Sequence, residues 1–432
     1  MNFNRFNLQT RRTFIENSAK TFLGVGTLPL LHNLASNASA AGTTNDGGGK
    51  AKNVIYLYMT GGMSHLDTFD TKPGAETQGP VESIATSAAG VQVSQFYTLT
   101  AKYMDKIAVI NSMNSNQGAH AQGQYFMHTS YFLRGTIQHP HMGAWGSYFL
   151  GKENKSLPSN VKIGGNSSGL GGGFLESKHA ALPIGDPDAG LQHSNLPKTV
   201  ADEKFQRRLQ RVREMNKVFN RRYDLKQVRA YSGMYDEAVK LMKSRDLLAF
   251  DLGQEPQGTR DAYGEHEFGQ GCLLARRLVE HGVRYVEVDY GGWDTHNDNF
   301  DRMAEKGAVL DQALSSLIND LSQRGMLDET LVVLATEFGR TPTIVPDRNN
   351  GRNHYPKAFT CLLAGGGVQG GIKYGRTDKE GREVEEDLVT VPDFNATIAY
   401  AMGLPIDEEV LSPSRRPFKV ADDGTPVKEL FS

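Results

Sequence analysis

The stretch Tyr285-Val286-Glu287-Val288-Asp289-Tyr290-Gly291-Gly292-Trp293-Asp294-Thr295-His296-Asn297-Asp298-Asn299 decides how this chain is read. Its first half alternates Tyr and Val with acids, the two-residue period of an extended strand. Gly291 and Gly292 break that strand and permit a tight turn. Asp289, Asp294, His296 and Asp298 crowd the same stretch, and at the mouth of a parallel sheet Asp and His are groups able to hold a metal. A turn with a capping Asp and a surface His is the plainer alternative.

Working outward, Phe268 to His281 reads as an amphipathic helix (Leu273, Leu274, Leu278, Val279) that feeds the strand, a unit of the parallel-sheet kind. Phe300 to Arg324 is a second helix, with Leu310, Leu314, Leu317, Ile318 and Leu321 on one face. Thr330 to Ala335 is a buried strand, and Glu337 stands just past its end. Gly351-Arg352-Asn353-His354 lies in a polar loop before a further strand, Phe359 to Leu363. Val391 to Met402 is the last helix, opened by Pro392-Asp393.

Towards the N-terminus, Asn53 to Met59 is a nearly continuous apolar run, as a strand buried on both faces requires. The loop Thr60-Gly61-Gly62-Met63-Ser64-His65-Leu66-Asp67 follows directly, which makes His65 and Asp67 candidates. Lys106 to Ile110 is another buried strand. A helix beginning near His120 would put that side chain among free N–H groups, which favour an anion. Residues 134–198, rich in Gly, Pro, His and Ser, read as irregular structure over one end of the sheet, and His139, His141, His179 and His193 as loop histidines. Residues 200–250 read as strongly helical. The basic run Arg207 to Arg222 is interspersed with acids and reads as a solvated face.

The formal charge of −2 on 432 residues argues against a nucleic-acid partner. No apolar run in the body is long enough to span a membrane. Cys272 and Cys361 each sit in an apolar run and read as two buried thiols, with one disulfide as the alternative. Thr10-Arg11-Arg12-Thr13-Phe14-Ile15 reads as a twin-arginine export motif, followed by a moderately apolar segment and a small-residue cleavage site at Ala38-Ser39-Ala40. The expected division is therefore a signal peptide over 1–40, a flexible leader over 41–52, and one domain over 53–432 with a loop- and helix-rich insertion at about 134–260. Removing residues 1–40 takes away four basic residues and one acid, leaving 43 basic against 48 acidic. The expected location is periplasmic or extracellular, with the twin-arginine translocase as the partner during export.

Four strand-to-loop junctions thus carry His65 and Asp67, Asp294 and His296, Glu337, and His354; a fifth carries His120. Mixed carboxylates and imidazoles suit zinc or manganese, with calcium or magnesium as the oxygen-preferring alternatives. Neither a phosphate-loop NTPase motif nor a hydrolase nucleophile elbow is present.

The motifs Gly61-Gly62-Met63-Ser64-His65-Leu66-Asp67-Thr68-Phe69-Asp70-Thr71-Lys72-Pro73, Gly291 to His296, Thr336-Glu337-Phe338-Gly339-Arg340-Thr341-Pro342 and Gly351 to His354 resemble the signature of an exported bacterial family. That family is the sulfatase-like "domain of unknown function 1501" of the alkaline phosphatase superfamily. The likeness runs over roughly residues 50–405. It implies an α/β fold, an alkaline-phosphatase-like αβα sandwich on a mostly parallel sheet. It also implies metals at strand ends and a nucleophile at a helix N-terminus attacking sulfur or phosphorus. His65, Asp67, Asp294, His296, Glu337 and His354 are then the expected metal ligands, and His120 and Arg340 the expected catalytic groups. Three places depart from the superfamily. Thr60-Gly61-Gly62 stands where its first metal-binding Asp belongs, Glu337-Phe338-Gly339 replaces its Asp-His-Gly, and Gly118-Ala119-His120 occupies the nucleophile position. The sulfatase signature is absent; Leu411 takes its place before Pro413-Ser414-Arg415. Two readings follow: a metal-dependent hydrolase of sulfate or phosphate esters, on a small molecule or polysaccharide, or a non-catalytic envelope binding protein.

Overall fold

The computed structural model describes residues 48–165, 171–192, 194, 201–222 and 237–431. The expected export signal, the leader up to residue 47 and His193 lie outside the described residues. A central sheet is built from β1 (Asn53–Thr60), β2 (Ile107–Asn114), β3 (Asn160–Ile163), β4 (Leu182–Ile184), β5 (Tyr285–Gly291), β6 (Thr330–Ala335), β7 (Phe359–Ala364), β8 (Lys373–Tyr374) and β9 (Val389–Thr390). Its order is β8-β2-β7-β6-β1-β5-β3-β4, with β9 also beside β2. Only β7 runs antiparallel to its neighbours among these strands.

Strand alternation divides the core into two layers. Ile55, Leu57 and Met59 of β1 and Val286, Val288 and Tyr290 of β5 face one side. They meet α4 (Glu267–Glu280) and α5 (Asn299–Gln323) there. Val54, Tyr56, Tyr58 and Tyr285 face the other side. There they meet α1 (His120–Thr129), α2 (Met142–Leu150) and α6 (Val391–Met402). Each fully buried Val, Leu or Ile adds about 1.5–3 kcal/mol. Apolar strands between two helical layers are therefore the favourable arrangement, and the expected αβα sandwich is what the chain forms. The last helix starts where Thr390 and Asp393 form a reciprocal capping box.

Residues 134–198 depart from the expectation of irregular loops. They supply α2, β3 and β4, and both strands extend the central sheet in parallel with β5. Strands this short, set among Gly, Pro and Ser, carry too few residues to show a two-residue period. His139, His141 and His179 are buried in that segment. In α3 (Asp202–Arg222), Leu209 is buried while Arg207, Arg208 and Arg211 are exposed, the solvated basic face expected. Cys272 and Cys361 are both free and buried. No helix among the described residues is long and apolar enough to cross a membrane.

Candidate functional site

The site forms where β1, β5 and β6 end. Gly61 follows β1 with φ 122°, and a Cβ there would lie 2.5 Å from the Asp294 nitrogen. Only glycine lets the two strand-end loops pass this closely. The Asp294 loop is held in turn by Trp293 N–H on Thr60 O and by Arg302 on the Asp294 carbonyl. A two-residue pairing of Gly339–Arg340 with His354–Tyr355 carries His354 over Arg340. His120 opens α1, as expected.

Three imidazoles and one carboxylate converge. His354 Nε2 lies 3.0 Å from His296 Nε2 and 3.3 Å from Asp294 Oδ1, and His296 Nε2 lies 3.2 Å from the same oxygen. His120 Nε2 stands 3.4 Å from Asp294 Oδ2. His120, Asp294 and His354 each offer one atom within 4.8 Å of the others, a candidate metal group. The site is open to solvent: the Asp294 side chain is 44% exposed.

The far side of each ring fixes its tautomer. His120 Nδ1 donates to Glu337 Oε1 at 2.9 Å, His296 Nδ1 to Asn353 Oδ1 at 3.0 Å, and His354 Nδ1 to Gly118 O at 2.8 Å. Arg348 also donates to Asn353 Oδ1, so that atom is the amide oxygen. A neutral imidazole carries one proton; here it sits on Nδ1 and leaves every Nε2 bare. Two bare nitrogens 3.0 Å apart repel unless a cation or proton lies between them. Ligand atoms on a tetrahedral zinc, at about 2.0–2.1 Å from it, stand about 3.3 Å from one another. The His296–His354–Asp294 triangle has edges close to that, so these residues fit a small divalent cation.

Electrostatics point the same way. Burial opposes charge on Asp294, but the Arg340 hydrogen bond and the Arg340 charge outweigh it and hold the carboxyl below its usual range. Burial lowers the His354 pKa and keeps that ring neutral, the form that ligates a metal. The hydrogen bond to Glu337 raises the pKa of His120.

The remaining expected residues stand elsewhere. Glu337 is fully buried; its Oε1 accepts from Gly61 N–H and His120, and its Oε2 from Tyr58 OH. It orients His120 from behind. Arg340, expected as catalytic, is also fully buried. Nε donates to Gly62 O, Nη1 to Arg352 O, and Nη2 to Gly61 O and Asp294 Oδ1. It anchors Asp294 and presents nothing to solvent. Asp67 is paired with Arg352, at 2.9 and 3.1 Å, and accepts from Ser64 and Asn299 as well. His65 donates to or accepts from nothing in the cluster; its Nε2 meets Gly381 O at 2.9 Å. Both are fully buried: the Arg352 guanidinium pairs with Asp67, and the Gly381 carbonyl meets one ring nitrogen of His65 while its Nδ1 has no partner. Sequence reasoning passed over Asn353, the Gly118 carbonyl and Tyr58. Asn353 lies inside a quoted motif; Tyr58 reads only as a strand residue.

Among known proteins, no curated protein matches the chain. It is similar in structure to the lipoteichoic acid synthase LtaP from Listeria monocytogenes (10% identity, 84% of this chain and 75% of that chain, TM-score 0.39). It is similar also to the PsFucS1 sulfatase from Pseudoalteromonas sp. (14%, 86% and 72%, TM-score 0.38). A third similar structure is an alkaline phosphatase superfamily protein from Vibrio parahaemolyticus (9%, 83% and 67%, TM-score 0.38). A family model described as "Protein of unknown function (DUF1501)" matches residues 51–431, and the chain belongs to that family.

Proposed function

We propose that this protein is an exported, metal-dependent hydrolase of sulfate or phosphate esters. The observation that carries the reading is the triangle of bare His296 Nε2, bare His354 Nε2 and Asp294 Oδ1, open to solvent and backed by acceptors that fix each tautomer. The ester class comes from the resemblance of its loops to sulfatase-like motifs. Asp294, His296 and His354 would hold the cation, with zinc or manganese preferred over calcium or magnesium by the two imidazoles. A bound divalent ion polarises an ester oxygen or activates water. Around it, Arg340 fixes Asp294, Asn353 fixes His296, and Glu337 holds the proton on His120 Nδ1. His120 Nε2, on the second oxygen of Asp294, is placed to carry a proton to or from the reacting ester. The uncapped start of α1 adds N–H groups that favour an anion.

Element-specific metal analysis and a panel of aryl sulfate and aryl phosphate esters test this reading. His120→Ala should keep the metal and lose about 10²–10⁴-fold in rate. If the metal-loaded protein hydrolyses no ester, an envelope binding protein is the better reading. Export through the twin-arginine pathway is part of the proposal. Replacing Arg11 and Arg12 by Lys should hold the precursor in the cytoplasm, and normal export of that variant would refute it.

A further inference from the structure

His128 lies in the last turn of α1, about 12 Å along the helix from His120. It is buried against the sheet, with its ring centre 4.5 Å from that of Tyr58 on β1, edge to face. Its Nδ1 meets Gln124 O at 2.7 Å, and its Nε2 meets Glu287 Oε1 at 3.1 Å. The same Oε1 takes the Lys162 ammonium at 2.9 Å. An ammonium only donates, so Oε1 is an acceptor, and a backbone carbonyl always is one. Both ring nitrogens of His128 therefore face acceptors. A neutral imidazole has one N–H and would set a lone pair against an oxygen; the doubly protonated ring satisfies both. Burial opposes that charge, but Glu287 outweighs it and raises the His128 pKa. The other titratable group of the cluster is Asp289, which takes Lys162 at 2.8 Å; burial and then Glu287 push its carboxyl up to about 7. From α6 the neutral Asn395 amide ties the same turn, on Met127 O at 2.9 Å.

We propose that the His128 imidazolium is a positioning residue: its ion pair with Glu287 seats α1 on β5, and with it His120 beside Asp294, and loss of its proton loosens that seat. Neither metal nor ester chemistry enters, so the outcome is separate from the hydrolase reading. The sign follows from linkage. A ring whose pKa is raised in the seated helix gives stability that is complete below the ordinary 6.5 and is lost as pH rises through the raised value. Asp289, raised from 3.8, acts in the same direction. α1 is thus held firmly in mildly acid solution and loosens on the alkaline side.

The test follows the full chain from about pH 6 to about pH 9, by NMR of the His128 ring and by amide hydrogen exchange of residues 123–129 corrected for the intrinsic rate. The ring should titrate above 6.5, and protection of α1 should fall about tenfold over the same interval while that of β1 stays constant. Glu287→Gln, close in shape but uncharged, should lower the ring's pKa and remove the α1 transition. Asp289→Asn should retain that transition. A ring that titrates at or below 6.5, α1 protection that does not change with it, or a transition that survives in Glu287→Gln or vanishes in Asp289→Asn overturns the proposal. The wild-type titration alone decides if a variant fails to fold.

Discussion

Asp67 and Asp294 each follow a strand that ends in two glycines, yet they meet opposite fates. Asp67 is wholly buried, with both oxygens taken by Arg352 and further donors from Ser64 and Asn299. Asp294 is 44% exposed, and Arg340 holds one of its oxygens from beneath. The first carboxylate has its charge balanced inside the protein and is structural. The second has protein on one side and bare imidazole nitrogens on the other, so its remaining capacity faces solvent. An acid at a strand end becomes a site when, its ion pair made, it still turns oxygen capacity to solvent beside unsatisfied imidazole nitrogens.

The largest expected effect lies on the open cluster. His296→Ala removes one corner of the triangle, and should abolish bound metal, read by element analysis, along with ester hydrolysis. The ring is half-buried, so stability in the metal-free state should change by only about 1 kcal/mol. Retained metal at wild-type stoichiometry would remove His296 from the ligand set.

Arg352→Met addresses the buried pair. It leaves Asp67 charged and unpaired in the interior, which costs about 3–5 kcal/mol. Chemical denaturation measures this, and folded Arg352→Met protein should still bind metal. A loss under about 1 kcal/mol would mean that Asp67 is not a buried structural charge, and the contrast with Asp294 would fail.

Asn353→Ala should give the smallest effect. The His296 ring loses the acceptor that keeps its proton on Nδ1. Metal affinity should fall about 10–100-fold, as for other supports behind a ligand. Competition with a chelator reads this directly. An unchanged affinity would show that the tautomer is set without Asn353.

Much of the frame was legible because its signals are local. The apolar runs of β1, β6 and β7 and the facial leucines of α5 dictate buried strands and an amphipathic helix whatever surrounds them. The start of α1 at His120 and the start of α6 at Pro392-Asp393 were readable for the same reason. β3 and β4 were not, because three or four residues cannot display a period and their place depends on β5 being beside them.

The candidate site divides along the same line. Residue types and strand-end positions were enough to nominate Asp294, His296, His354 and His120, since a metal or acid/base centre needs carboxylates and imidazoles at the open edge of a parallel sheet. Those facts are equally true of Asp67 and His65. Partner geometry separates the two groups, and partners such as Arg352, Gly381 and Gly118 come from distant parts of the chain. Sequence determines which side chains carry the chemistry. Only the tertiary structure decides which are neutralised within the protein and which turn an unsatisfied atom outward, because charge compensation and tautomer depend on contacts a few ångströms long between residues far apart in sequence.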